Sequence, residues 1–198
     1  MPIDLLLKRA LACLLLALAA AAPARADFEA GIAAARAGDY AGALREWRPL
    51  AEQGHRDAQF NLGLLYENGF GVPADAAQAA RWYRRAAEQN DRQAQAYLAE
   101  MYAMGLGVER DDREALHWYR TAAERGHAAS QYNVGLFYAT GRGAAPSDVQ
   151  AVAWITVAEE NGAQRTDLLG RLKQHMSAGS LQEARRLADD VRRQCRVD

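Results

Sequence analysis

The feature that most constrains this chain is a repeat: residues spaced by 36 positions recur as the same type along most of its length. Trp82, Trp118 and Trp154 share one register, as do Tyr66, Tyr102 and Tyr138. Ala79, Ala115 and Ala151 form a third row, and Ala86, Ala122 and Ala158 a fourth. Two glycine rows run with them, Gly69–Gly105–Gly141 and Gly71–Gly107–Gly143, and Gly54, Gly126 and Gly162 form another with Asn90 in its remaining slot. A fixed period of this length specifies a solenoid, in which each unit buries its apolar face only against its neighbours.

The physics of one unit follows from its residues. Ala79, Trp82, Tyr83, Ala86 and Ala87 fall at i, i+3, i+4, i+7 and i+8, the apolar stripe of one helix, while Arg81, Arg84, Arg85 and Glu88 fill its other face. The tryptophans lie on that stripe and read as core. Asp75 with Gln78, Asp111 with Glu114, and Ser147 with Gln150 read as capping boxes at the helix starts. Asn90, Gly126 and Gly162 supply the left-handed stop. The partner helix carries Ala58, Leu62, Leu65 and Tyr66 on its inward stripe. Gly63 lies in the middle of that helix, at a cost of about 1 kcal/mol against Ala, which makes sense if a bulky side chain of the neighbouring helix packs on it.

No segment reads as a strand. The periodicity predicts paired helices over roughly 28–37, 40–53, 57–68, 75–89, 93–104, 112–125, 129–140 and 148–161, with a kink at Pro49. Beyond Gly162 the register decays. Leu168, Leu169 and Leu172 suggest a short helix, and Ser180 with Glu183 opens a last one with Leu181, Ala184, Leu187, Ala188 and Val191 on one face. Residues 163–198 are thus expected to cap the solenoid of residues 27–162.

Residues 1–26 differ in kind. Lys8 and Arg9 precede an apolar run from Ala10 to Ala22, and Pro23-Ala24-Arg25-Ala26 ends in a small-x-small pattern before Asp27. This is the pattern of a cleaved signal peptide, with an apolar run too short to span a bilayer. The expected destination is the periplasm or the exterior. Removal of the leader takes Cys13 with it and leaves Cys195 as the only thiol in an oxidising compartment. Cys195 can then either stay a free thiol near a frayed C-terminus or link two molecules of an otherwise monomeric protein.

Charge and spacing exclude several functions. The formal net charge is −1, without the basic excess that holds a phosphate backbone, so no nucleic-acid partner is expected. His55 and His127 occupy the same turn two units apart, on the order of 20 Å for helices packed at ordinary distances, far too wide for one metal ion. Asp111-Asp112, Glu159-Glu160 and Asp189-Asp190 are neighbours on helices and diverge too widely to act as an acid–base pair. No Ser-His-Asp or Cys-His arrangement is apparent. No catalytic residue, metal or cofactor is expected.

The run Ala58-Gln59-Phe60-Asn61-Leu62-Gly63-Leu64-Leu65-Tyr66, the turn Gly69 to Val72 and the run Ala79 to Ala87 resemble the repeat pattern of the Sel1-like family, relatives of the tetratricopeptide repeats. Three such units cover about 57–162. Ala99 stands for the helix glycine in the second, and Ala144 and Glu159 depart from the pattern in the third. The resemblance implies an all-α fold, a right-handed α-solenoid of antiparallel helix pairs whose concave face holds a protein or peptide, in a non-catalytic scaffold. By similarity, the groove is lined by Phe60, Asn61, Leu64, Glu67 and Asn68 of the first unit, Gln93, Tyr97 and Glu100 of the second, and Tyr132, Asn133 and Leu136 of the third. Asn61 and Asn133 hold the slot from which an amide can bond an extended peptide backbone, with Tyr97 between them. The rival class is a cell-envelope enzyme or a β-lactam- or peptidoglycan-binding protein. Cysteine-rich relatives linked to β-lactam binding pair cysteines within each repeat, and this chain has no such pair. Groove tyrosines would also suit an envelope glycan.

Overall fold

A computed structural model describes residues 27–195. Ten α-helices follow one another among these residues: α1 (Phe28–Arg36), α2 (Tyr40–Glu52), α3 (Arg56–Asn68), α4 (Ala76–Glu88), α5 (Arg92–Met104), α6 (Asp112–Glu124), α7 (Ala128–Thr140), α8 (Asp148–Glu160), α9 (Leu168–Gln174) and α10 (Ala178–Gln194). Each helix from α1 to α8 packs on the next, and α10 then closes on α8. The molecule is the all-α solenoid of helix pairs that the period predicts, and no described residue lies in a strand. The expected signal peptide, residues 1–26, lies outside the described residues. No helix among those described is long and apolar enough to cross a membrane.

The period also runs further back than the three clear units. Trp47 lies one period before Tyr83, and Ala43 and Ala51 precede Ala79 and Ala87. A Cβ on Gly31 would overlap the Trp47 ring as one on Gly63 would overlap the Tyr83 ring. Helices α1 and α2 are therefore a fourth unit with a shortened turn. The expectation for Gly63 holds, and at Gly135 the side chain pressed against the helix is Ile155, the residue in the Tyr83 register. Helix α2 runs through Pro49 to Glu52, and the Pro49 carbonyl accepts from the Gln53 N–H.

The helix starts differ from the predicted capping boxes in one respect. Asp75, Asp111 and Ser147 accept from the N–H groups of Gln78, Glu114 and Gln150 as expected. The return bond to the cap's own N–H is replaced by a backbone bond from the preceding helix. The N–H groups of Asp75, Asp111 and Ser147 donate to the carbonyls of Tyr66, Tyr102 and Tyr138 at 2.9–3.0 Å. Each unit is tied to itself at that point, and the tyrosine ring then faces the unit before it: Arg48 donates to the Tyr66 hydroxyl at 2.7 Å, and Arg84 to that of Tyr102. His55 and His127 are also caps. Nδ1 of each accepts the N–H three residues on, from Ala58 and Ser130, and Asp91 fills this place in the middle unit. Burial, with the charge of Arg92 adding to it, lowers the His127 pKa from its ordinary value, which keeps the ring neutral as that bond requires.

Three glutamines in one register, Gln59, Gln95 and Gln131, are almost fully buried. Their side-chain N–H groups donate to the carbonyls of Ala51, Ala87 and Ala123 at 2.9–3.1 Å, so each pins its unit to the unit before. The oxygens of Gln59 and Gln131 accept from Gln89 and Asn161. In the middle unit Arg125 occupies that slot and bonds Asn90, and the Gln95 oxygen has no partner among the described residues.

Two expectations need correction. Only Trp154 of the repeated tryptophans is buried, at 3% exposure, because α10 closes over it with Leu187 and Val191. Trp82 and Trp118 are half-buried on the rim, Trp82 under the Arg85 guanidinium at 4.8 Å. The fully inward position of the second helix belongs to the next residue, Tyr83 or Tyr119. The last helix also begins earlier than predicted. Ser177, whose hydroxyl accepts from the Ser180 N–H at 3.0 Å, is its cap.

Helix α10 is docked on the solenoid through Cys195, not frayed. Ala184, Ala188 and Val191 are buried, and Arg192 grips Glu160 with two bonds of 2.7 Å. The Cys195 thiol donates to the Ala123 carbonyl and accepts from Gln131. Burial pushes its pKa up, which lowers the thiolate fraction. In protein lacking residues 1–26, Cys195 should therefore react with a disulfide reagent at pH 8 about tenfold more slowly than in urea-unfolded protein. Equal rates would show that α10 does not hold its end on the solenoid.

Candidate functional site

Helices α3, α5 and α7 are the first helices of the three clear units, and the predicted groove residues lie on them. Their inner stripes pack against the second helices, leaving the intervening side chains on the free face. Phe60 and Tyr97 face each other in a T-shaped contact of 5.8 Å, and both pack on Tyr83, Tyr97 stacking on it at 5.1 Å. These three rings join the first unit to the second. Tyr97 therefore carries packing as well as surface, and in the register it holds the slot between Asn61 and Asn133. Neither asparagine side chain has a hydrogen-bonding partner among the described residues, although both are half-buried.

Four of the eleven predicted residues converge on one open cleft of about 300 Å³ between α5 and α7: Gln93, Tyr97, Glu100 and Asn133. Tyr119 and His127, which sequence reasoning did not propose, line it with them. The others are spread along the face. Glu67 is exposed and accepts from the Tyr83 hydroxyl at 2.5 Å. Leu64 and Leu136 are half-buried. Asn68 bonds the Leu64 carbonyl of its own helix, so its donor is already engaged. Tyr132 turns toward the C-terminal segment, its hydroxyl 3.1 Å from that of Thr166.

Electrostatics distinguish the two tyrosines of the second helices. Burial, then the bond to Glu67, raises the Tyr83 pKa far above its ordinary value. Burial, with the Glu100 carboxylate adding to it, pushes Tyr119 up to about 12. Both are neutral phenols at physiological pH. Tyr119 lies one period after Tyr83, on the apolar stripe of a second helix, and His127 lies in a turn, so neither falls on the first-helix positions from which the groove is read. The stripe does bury Tyr119, yet its position still lets it reach the cleft wall.

Among the described residues no group of three or more His, Cys, Asp or Glu is placed to hold a metal ion. The cleft offers hydrogen-bonding side chains, one carboxylate and two tyrosine rings.

The family model described as Sel1 repeat matches residues 56–91, 92–127 and 128–162, the three clear units. No curated protein sequence matches the chain. Among 22 matching chains of solved structures is a Sel1 repeat protein from Oxalobacter formigenes, 34% identical, with a TM-score of 0.66 over 69% of this chain. The chain spans 56% of the length of that protein. Another is a protective antigen of uropathogenic Escherichia coli that displays an SLR fold, 28% identical, with a TM-score of 0.44 over 78% of this chain and 41% of the antigen.

Proposed function

Because the chain belongs to the Sel1 repeat family, whose members generally mediate protein–protein interaction, we propose that it is an exported, non-catalytic scaffold that holds a protein or peptide partner along the free face of α3, α5 and α7. The observation that carries this reading is the set of unengaged amides on that face. Asn61 and Asn133 stand half-buried without hydrogen-bonding partners among the described residues, and Asn133 lines the cleft with Gln93, Tyr97 and Glu100. An extended backbone offers alternating donors and acceptors that such amides can bond. The leader pattern of residues 1–26 supports export.

Site-specific crosslinking tests the reading. A photoreactive benzoylphenylalanine at Ala129, in the cleft wall, should trap a partner from source-cell extract. The same group at Glu88, on the outer side of α4, should trap none. Adding Asn61→Ala and Asn133→Ala to the Ala129 probe should remove the adduct while the helical circular dichroism is unchanged. These two substitutions leave the three-ring contact of Phe60, Tyr83 and Tyr97 intact, which Tyr97→Ala would not. An adduct formed equally from both positions, or only from Glu88, would move the working surface off this face.

A further inference from the structure

Tyr83 and Tyr119 occupy the same place in successive units, and their hydroxyls meet different surroundings. Tyr83 donates to Glu67. One period on, the slot of Glu67 is held by Ala103, and no group among the described residues hydrogen-bonds the Tyr119 hydroxyl. Tyr119 is only 6% exposed and still lines the cleft between α5 and α7. The ring is buried, and the hydroxyl, which opens on the cleft, is left to bond whatever enters it. Here the carboxylate found in the neighbouring unit is absent, and the Ala103 carbonyl in its place accepts from Arg142.

The charge of the cleft says what would fill that space. Glu100 is the only charged side chain among the residues that line it. His127 adds no positive charge at neutral pH, since burial holds its pKa down. Two cations lie close by with bonds of their own: Arg92 donates to the Arg125 carbonyl, and Arg142 is paired with Asp112 and acts on Tyr119 more weakly than Glu100 does. The Tyr97 ring forms part of the wall. A carboxylate, a phenol oxygen and an aromatic ring around one cavity are the surroundings that stabilise an ammonium or guanidinium group.

The geometry points to a lysine or arginine side chain, carried on an extended segment of a protein partner, as the group held between α5 and α7. Its N–H groups donate to the Glu100 carboxylate and the Tyr119 hydroxyl, its stem lies along Tyr97, and Asn133 is left to bond the segment's backbone. A neutral side chain there leaves both oxygens unanswered, and an acidic one meets Glu100 directly, so the cleft selects by charge. This inference rests on the free face being the binding surface.

Selection of random octapeptides displayed on phage against immobilised protein lacking residues 1–26 separates the two claims. The enriched sequences should share Lys or Arg at one fixed position. A synthetic peptide of that sequence should lose about tenfold in affinity when the basic residue becomes norleucine, and about tenfold against Glu100→Gln. Tyr119→Phe, which keeps the ring and its edge contact with Phe137, should weaken binding about fivefold by removing one hydrogen bond to a charged group. Glu88→Gln, on the outer side, should change nothing. Enriched peptides with no common basic position, yet lost to Asn133→Ala, would overturn the cation inference and leave the binding face standing. No enrichment, or peptides indifferent to Glu100, Tyr119 and Asn133 alike, would overturn both.

Discussion

Gly107→Val should destabilise the protein by about 3 kcal/mol or more, read as a fall in the urea midpoint. Two effects add at this position. Gly107 has φ near +67°, a region that a β-branched residue strongly disfavours. Its missing Cβ also faces the backbone of Ala76 and Ala77 at the start of α4, where any added carbon would overlap main-chain atoms. Backbone cannot rotate aside as a side chain can, so the second unit must move away from the first. Gly71 and Gly143 approach Tyr40 and Asp112 in the same way, so the second glycine of each turn is where one unit touches the next. The control is Gly126→Ala. Gly126 has φ near +77° but open space around it, so only the backbone cost of about 1–2 kcal/mol applies. Equal losses for the two variants would mean that the close approach at Gly107 does not exist in solution.

Deletion of residues 178–198 should be nearly as severe. In a solenoid each unit is stabilised by its neighbours, and the last requires a cover with a polar outer face. Helix α10 supplies it, burying Ala184, Ala188 and Val191 and packing Leu187 against the core that holds Val157 and Trp154. Its outer side carries Arg185, Arg186 and Asp190, among others. Losing these contacts removes about 3–5 kcal/mol of apolar burial, which corresponds to a fall in Tm of about 10 °C for a chain of this size. Dye binding to exposed apolar surface should rise, and Trp154 emission should shift toward longer wavelength. The three other tryptophans report from earlier units and provide the internal comparison. An unchanged Tm and an unshifted spectrum would show that α8 is covered by something other than α10.

Much of this was legible in the residues themselves. The predicted helix spans agree with the observed ones to within a residue or two at each end, because a fixed glycine or asparagine stop and an Asp or Ser start bound each unit. The glutamine row at 59, 95 and 131 was equally visible as a period. A polar residue on an apolar stripe carries no signal of its own. Only its bonds to Ala51, Ala87 and Ala123 show that it is an inter-unit pin. The candidate surface was read by similarity from the first helices alone, and that is why it contained Gln93, Tyr97, Glu100 and Asn133 and lacked Tyr119.

By itself the sequence determined the period, the helices, their caps and the family, since each of these depends on residues close together in the chain or on their recurrence at a fixed spacing. The tertiary structure decided which member of a stripe is buried and which remains at the rim, placing Tyr83 and Tyr119 inside and leaving Trp82 and Trp118 half-covered. It also decided that Tyr83 meets Glu67 while Tyr119 faces an open cleft. The physical reason is that periodicity fixes the angle of a side chain around its own helix, whereas its contacts depend on how close the neighbouring helices come and on which residues they present there.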